Sequence, residues 1–245
     1  MRESVVTDAL LLRATDYRDA DRILTFFSAD LGKVSAIARG AKASRRRFAG
    51  ALEPYALIRI ELTLGAGELA TLTRAEIVQS FGQVLADLGR MEVAGAALAL
   101  LREIQAARVP DARSFLSSVQ LLTLLDHEPD PARAALLAFA MRTLALAGMA
   151  PRLAVCGRSD EPVPEGKAAY FDPGLGAVVS RRFGGGAFLL TGEVRARLIA
   201  AQSDAWLEVA RAAWEPEALN GARCALAAFI AGHLSAELAS RLFPG

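Results

Sequence analysis

The chain of 245 residues is long enough for one large domain or two small ones, each with its own core. Its 28 basic and 27 acidic residues give a net charge of +1, so any affinity for nucleic acid or a membrane must come from a local patch. Hydrophobic residues make up 53% of the chain, but arginine interrupts every apolar stretch before the roughly 18 residues that a membrane-spanning helix needs.

The N-terminus and the cysteine content predict a cytoplasmic protein. Residues 1–4 (MRES) do not begin an apolar secretory signal. The two cysteines, Cys156 and Cys224, are too few for a disulfide framework and fit a reducing compartment.

Five short strand-like segments are found in residues 1–80. The alternation of apolar and polar residues from Ile58 to Leu64 predicts a half-buried strand with Ile60 and Leu62 in the core. The turn at residues 65–67 predicts a hairpin with a return strand over 68–74. The other strand-like segments are 5–12, 22–27 and 34–39. This density of short strands predicts a small β barrel.

The hydrophobic period becomes helical after residue 81. Apolar residues at 93, 97, 100 and 104 predict one face of a helix that ends before Pro110. Asp111 is predicted to cap a second helix, and Asp130-Pro131 to begin a third that carries Leu137, Met141 and Leu144. Residues 151–190 are rich in proline and glycine and predict a turn-rich insert. The predicted fold is therefore α+β, with a barrel over 1–80 and a helical domain over 81–245.

The strongest charge feature is the segment from Lys33 to Leu52, which has no acidic residue. It contains six basic residues: Lys33, Arg39, Lys42, Arg45, Arg46 and Arg47. Acidic residues are concentrated elsewhere, so the charge pattern predicts a basic patch on the barrel.

Several motifs resemble the bacterial RecO family of recombination mediator proteins. In the barrel segment these are residues 16–25 (DYRDADRILT), 31–33 (LGK), 38–42 (ARGAK), 44–45 (SR), 67–72 (GELATL) and 75–76 (AE). Near the C-terminus, residues 232–234 (GHL) and 240–241 (SR) resemble the closing helix of the family. The likeness covers the whole chain.

This resemblance implies a fold and a function. The implied fold is an oligonucleotide-binding (OB) barrel followed by a helical domain, which carries an inserted hairpin that often holds zinc. The implied function is binding of single- and double-stranded DNA and annealing of complementary strands coated by single-strand-binding protein. The resemblance also implies cooperation with RecR to load RecA.

The basic segment is the predicted DNA-binding site. Cations neutralise phosphates, and guanidinium groups hold phosphate oxygens through paired hydrogen bonds. Backbone contacts of this kind position DNA without reading its sequence. The predicted contacts are Lys33, Arg39, Lys42, Arg45, Arg46 and Arg47. Phe48 and Tyr55 are candidates for base stacking, although the barrel core is the more usual place for each.

Two other functions stay open from the sequence alone. The basic loop could bind an acidic peptide if the protein were an adaptor. Asp16, Asp19 and Asp21 could hold magnesium in a nuclease, but no companion histidine or phosphate-binding loop accompanies them. For Asp21 beside Arg22, an ion pair or turn hydrogen bonds are the preferred interpretation. The preferred function is a non-enzymatic DNA repair mediator associated with the nucleoid, without a cofactor.

The insert departs from the family pattern of two Cys-x-x-Cys pairs. The matching positions are Cys156, Ser159, Ser180 and Phe183, so only one of the four thiolates is present. We therefore predict a hairpin without zinc, in which Cys156→Ser is nearly silent. An apolar cluster is predicted to replace the metal: Tyr170, Phe171, Val178, Val179, Phe183 and Phe188. Cys224 is predicted to be buried, and His127 and His233 are assigned no role.

Overall fold

The computed structural model describes residues 3–42, 44, 47–48, 50–65, 67–128 and 132–244. Contacts divide the chain into two compact units: Met1–Ala94 with Leu101–Glu128, and Gly95–Leu100 with Pro129–Gly245. The domain boundary predicted between residues 80 and 81 stays a prediction. Among the residues described, no helix is both long and apolar enough to cross a membrane.

Five strands of the first unit close into a barrel. They are β1 (Glu3–Tyr17), β2 (Asp21–Ser28), β3 (Gly32–Ala38), β4 (Ala56–Leu64) and β5 (Leu69–Ser80). The order around the barrel is β1-β2-β3-β5-β4, and β1 pairs with β4. All neighbouring strands are antiparallel except β3 and β5, which are parallel over three residue pairs. The five-stranded OB-like barrel predicted from the sequence is confirmed.

The barrel core contains the inward-facing residues of each strand. Ile58, Ile60 and Leu62 have no exposed surface, which confirms the inner face predicted from alternation. The segment between β3 and β4 also contributes to this core through Phe48 and Leu52, which are 2% and 5% exposed. These apolar contacts fix that segment to the barrel.

Three helices follow the barrel: α1 (Gly82–Ala86), α2 (Leu88–Ile104) and α3 (Ala112–His127). The barrel groups with α1, α3 and the two ends of α2. The Asp111 carboxylate accepts a hydrogen bond from the Ser114 backbone N–H, so the predicted cap is confirmed. The Phe115 ring packs edge-on against Phe27, with 5.9 Å between ring centroids.

The segment between α2 and α3, residues 105–110, lies across one end of the barrel, and we call it the strap. The Arg108 backbone N–H donates to the Lys33 carbonyl at 2.8 Å. The Arg108 guanidinium donates to two carbonyls of the β4–β5 loop, at 2.7 and 2.9 Å. Gly32 has a φ of +64°, and a Cβ there would lie 1.9 Å from the Val109 carbonyl oxygen. The strap therefore needs glycine at this position of β3.

The second unit is built around α4. Its elements are α4 (Ala132–Leu146), β6 (Arg152–Cys156), β7 (Ala169–Asp172), β8 (Ala177–Val179), β9 (Phe188–Leu190), α5 (Gly192–Ala201), α6 (Trp206–Arg211), α7 (Pro216–His233) and α8 (Ala236–Leu242). Leu137, Met141 and Leu144 of α4 are buried, as predicted. The predicted start of this helix at Asp130-Pro131 lies outside the described residues.

Residues 151–190 form a four-stranded sheet in the order β6-β8-β7-β9. The predicted cluster is partly present, since Phe171, Val178 and Val179 are buried while Tyr170 and Phe188 are half-buried. The prediction for Phe183 is wrong, because its side chain is 39% exposed. A 3-10 turn over Arg181–Phe183 ends β8 and carries this ring away from the sheet.

Two residues of α7, Cys224 and His233, can be compared with what the sequence indicated. Cys224 is exposed, so its predicted burial is wrong, whereas Ala222 and Ala225 of the same helix are buried. His233 lies with its Nε2 atom 2.9 Å from the Pro173 carbonyl oxygen. This contact joins the end of α7 to the turn between β7 and β8.

Candidate functional site

A basic surface forms where the β1–β2 hairpin meets the segment after β3. We define the hairpin surface as residues 13–22, 39–42, 44 and 47. Residues 13–19 are all exposed, because this hairpin extends beyond the barrel core. The Asp21 carboxylate accepts a hydrogen bond from the Gly40 N–H at 2.8 Å, and the Lys42 N–H donates to the Ala20 carbonyl at 3.1 Å. These bonds fasten the two segments together.

Three of the predicted basic residues, Arg39, Lys42 and Arg47, are exposed on this surface. The Arg47 guanidinium donates to the Arg39 carbonyl at 2.7 Å and lies 5.0 Å from the ring centroid of Phe48. Arg47 therefore also stabilises the local backbone. Arg45 and Arg46 lie outside the described residues, so their assignment to this site stays a prediction.

Lys33 lies at the other end of β3. It is the second residue of that strand, whereas Arg39 directly follows it, so about 20 Å of extended chain separates the two. The Lys33 ammonium donates to the Arg102 carbonyl at 2.6 Å, and burial lowers the pKa of Lys33. The structure thus separates Lys33 from Arg39, Lys42 and Arg47.

The aspartates of the hairpin support this surface through ion pairs and hydrogen bonds. The Asp16 carboxylate lies 3.0 Å from the Lys42 ammonium and 3.3 Å from the Arg22 guanidinium. The hydrogen bond from Lys42, together with the charges of Lys42 and Arg22, lowers the pKa of Asp16. Within the described ranges, no three His, Cys, Asp or Glu side chains could together hold a metal ion. Asp21 makes a hydrogen bond with Gly40 across this surface, while its neighbour Arg22 pairs with Asp16 and Glu53.

The charge pattern of the sequence did not indicate that the hairpin itself contributes to the surface, through Arg13, Tyr17, Arg18 and Arg22. Arg22 also lies 3.6 Å from Glu53. The signal was present in the motif at residues 16–22 (DYRDADR), in which arginines alternate with aspartates. Only the strand register shows which face each of these side chains occupies.

The two aromatic residues considered for base stacking, Phe48 and Tyr55, make contacts within their own unit. Phe48 is in the barrel core, which confirms the core interpretation. Tyr55 is half-buried, its hydroxyl donates to the Met91 carbonyl at 3.2 Å, and burial raises the pKa of Tyr55.

The four positions that correspond to the zinc ligands of the family do not form a closed metal site. The Cys156 sulfur accepts a hydrogen bond from the Ser180 backbone N–H at 3.5 Å. The Ser159 hydroxyl lies 3.2 Å from the Glu161 carboxylate, and Phe183 faces outward. A structural zinc ion needs four N, S or O ligands around it, and these residues offer one thiolate. A zinc ion therefore does not fit these four positions.

A buried arginine binds the backbone of the insert over residues 151–190. Arg195 of α5 is 2% exposed and donates to backbone carbonyls of the insert. Its partners are Leu153 at 2.9 Å, Lys167 at 3.1 Å, Val163 at 3.4 Å, and Pro164. This side chain ties the long β6–β7 connection to α5 and to β6.

Cys156 should make the stability of the protein depend on pH. Hydrogen bonds, first from the Ser159 hydroxyl and then from backbone N–H groups, lower the pKa of Cys156 to about 6, whereas an unfolded thiol has a pKa of about 8.5. A depressed pKa adds stability that is fully present above pH 8.5 and is lost as the pH falls through 6. Cys156→Ser should therefore be nearly silent at pH 5 and destabilising at pH 9.

Urea unfolding of wild type and Cys156→Ser at pH 5, 7 and 9 measures this effect. Cys224→Ser is the control, because Cys224 is exposed. A constant difference between wild type and Cys156→Ser at all three pH values would contradict the thiolate assignment.

An OB-like barrel with a basic surface, followed by a helical unit, is an architecture typical of proteins that bind nucleic acid. Comparisons with known proteins agree with this class. Residues 1–81 match the family model for the N-terminal part of recombination protein O, and residues 85–242 match the model for its C-terminal part.

The relatives found by sequence comparison lead to the same family. The chain is 40% identical to the DNA repair protein RecO of Anaeromyxobacter sp. (strain K), over 98% of this chain and 96% of the relative. It is 35% identical to the DNA repair protein RecO of Myxococcus xanthus (strain DK1622), over 95% of this chain and 93% of the relative. The chain belongs to the RecO family of DNA repair proteins, which confirms the resemblance seen in its sequence.

Proposed function

We propose that this protein is a non-enzymatic mediator of DNA repair and recombination that binds single- and double-stranded DNA through the hairpin surface. It anneals complementary strands and acts with RecR to load RecA on DNA coated by single-strand-binding protein, at the nucleoid in the cytoplasm. Membership of the RecO family supports this proposal. The observation that carries it is the group of exposed cations, Arg39, Lys42 and Arg47, fastened to the hairpin.

The proposed contacts are to phosphate. Exposed guanidinium and ammonium groups replace the counterions of DNA, and the release of those counterions provides most of the sequence-independent affinity. Arg45 and Arg46 belong to the proposed contact set because they lie between Lys42 and Arg47 in the chain. No cofactor is needed for such binding.

A substitution at Asp16 tests the proposal through an expected gain in DNA affinity, where replacing the basic residues should cause a loss. Its carboxylate holds Lys42 and Arg22 in the free protein, so DNA phosphates must compete with it for these two cations. Asp16→Asn removes one negative charge and releases Lys42 from its ion pair, while Arg22 keeps its contact with Glu53. We therefore expect this variant to bind DNA more tightly than the wild type at low salt.

The salt dependence of binding to a single-stranded oligonucleotide tests the surface. Contact with five phosphates predicts a slope of about −3.5 for the logarithm of affinity against the logarithm of salt concentration. Combined replacement of Arg39 and Lys42 by glutamine should flatten this slope by about 1.4. The control is Arg74→Gln, which removes an exposed arginine of β5 outside the hairpin surface and should leave the slope unchanged.

Annealing of complementary oligonucleotides coated by single-strand-binding protein completes the test. The double variant should anneal more slowly than the wild type. A folded double variant with the wild-type slope would exclude the hairpin surface. Magnesium-dependent cleavage that is lost in Asp16→Asn would identify a nuclease instead, and binding of an acidic peptide without binding of DNA would identify an adaptor.

A further inference from the structure

Tyr17 is the exposed aromatic residue of the barrel. It ends β1 at the tip of the β1–β2 hairpin, and its side chain is 38% exposed. The rings of Phe26, Phe27, Phe48 and Phe81 are buried, and Phe115 packs against Phe27. An aromatic ring that the barrel core does not use is therefore presented to solvent beside the basic residues of the hairpin surface.

The strand register places Tyr17 near the end of β3, which Arg39 directly follows. Thr15, Ile23 and Ile37 form one row across β1, β2 and β3. Two positions further along, Tyr17 pairs with Asp21 in the same register, and Arg39 directly follows Ala38, the residue of β3 that pairs with Arg22. Neighbouring strands are about 4.8 Å apart, so about 10 Å separates the backbone of Tyr17 in β1 from the backbone at the end of β3, where Arg39 follows.

One face of the Tyr17 ring is already covered by a cation. The Arg18 guanidinium lies 5.1 Å from the ring centroid, and Arg18 adopts a φ of +54°. The guanidinium holds the ring in place, and the 38% of the side chain that stays exposed is available to a flat partner. The flat partners that accompany a phosphate backbone are nucleobases, which stack on exposed aromatic rings of OB barrels whatever their sequence.

We propose that Tyr17 is a stacking platform for an unpaired base of single-stranded DNA. The inference rests on the proposed function, since the phosphates of the same strand would contact Arg39 and its neighbours. In a duplex the base faces are covered by neighbouring base pairs, so this platform acts on the single strand alone. Tyr17 thereby distinguishes single-stranded from double-stranded DNA on a surface whose cations bind both.

Affinities of Tyr17→Ser and Tyr17→Phe for a single-stranded oligonucleotide and for a duplex of equal length test this inference. Tyr17→Ser should bind the single strand about 5- to 100-fold more weakly than the wild type and the duplex within about twofold. Tyr17→Phe keeps a ring and should bind like the wild type. The salt slope of Tyr17→Ser should match that of the wild type, because no charge is removed.

Photocross-linking with an oligonucleotide that carries 5-iodouracil gives a second readout, and the adduct should map to Tyr17. Wild-type affinity of Tyr17→Ser for the single strand, or an equal loss on single strand and duplex, would overturn the inference. These results differ from failure of the proposed function, in which the wild type itself would bind neither form of DNA. Thermal melts check the fold, and an exposed side chain should change them little.

Discussion

Replacing Arg195 by methionine should lower the free energy of unfolding by about 3 kcal/mol. The arginine is 2% exposed, and its donors satisfy backbone carbonyls at Leu153, Val163, Pro164 and Lys167. Methionine has a similar length but no donor, so the carbonyls of Leu153, Val163 and Lys167 would lose the arginine, while the Pro164 carbonyl would keep the Lys167 N–H. The loss should appear in urea unfolding curves and as a lower melting temperature.

Arg182→Met is the matched control for this experiment. Arg182 belongs to the same region of the second unit, but its side chain is 59% exposed and pairs with Glu161 at the surface. Exposed ion pairs contribute about 0 to 1 kcal/mol, so the control should remain close to the wild type. Equal stability of Arg195→Met and Arg182→Met would show that packing, and not Arg195, holds the insert.

Gly32→Ala should destabilise the barrel by about 3 kcal/mol, and it should loosen the strap at residues 105–110. Two costs combine in this variant. The φ of +64° at Gly32 is unfavourable for alanine, and the new Cβ would meet the Val109 carbonyl oxygen at 1.9 Å. Because the obstacle is backbone, relief requires movement of the strap and loss of the Arg108-to-Lys33 hydrogen bond.

Gly148→Ala separates the two costs. Gly148 has a φ of +73°, but a Cβ there would meet nothing within 4 Å. This control should lose only the conformational part, about 1 kcal/mol. Unfolding curves that show the same loss for both variants would contradict the close approach of the strap to β3.

Local patterns predicted the parts of the fold that depend on local physics. Alternation from Ile58 to Leu64 identified the buried face of β4, because a strand in a barrel has one inner and one outer side. Asp111 was recognisable as a cap because its hydrogen bond partner is three residues away. The exposed position of Cys224 was not predictable from the sequence, since an alanine-rich helix does not reveal which of its faces is covered.

The candidate site was predictable only in part, for a similar reason. Charge density identified the segment that holds Arg39, Lys42 and Arg47. It could not show that Lys33 is held by a carbonyl 69 residues later in the chain, or that Arg195 binds carbonyls 28 to 42 residues away. Such pairings arise from the tertiary fold and leave no periodic mark in the sequence.

The way the barrel closes also affects how it can open. β3 and β5 share three residue pairs, whereas β1 and β4 share eight. Local unfolding begins where the fewest hydrogen bonds must break, so the β3–β5 seam is the expected point of rupture. The β1–β2–β3 meander and the β4–β5 hairpin each stay paired when this seam parts. Arg39, which directly follows β3, would then move with the meander, and the eight β1–β4 pairs would serve as the hinge of this opening.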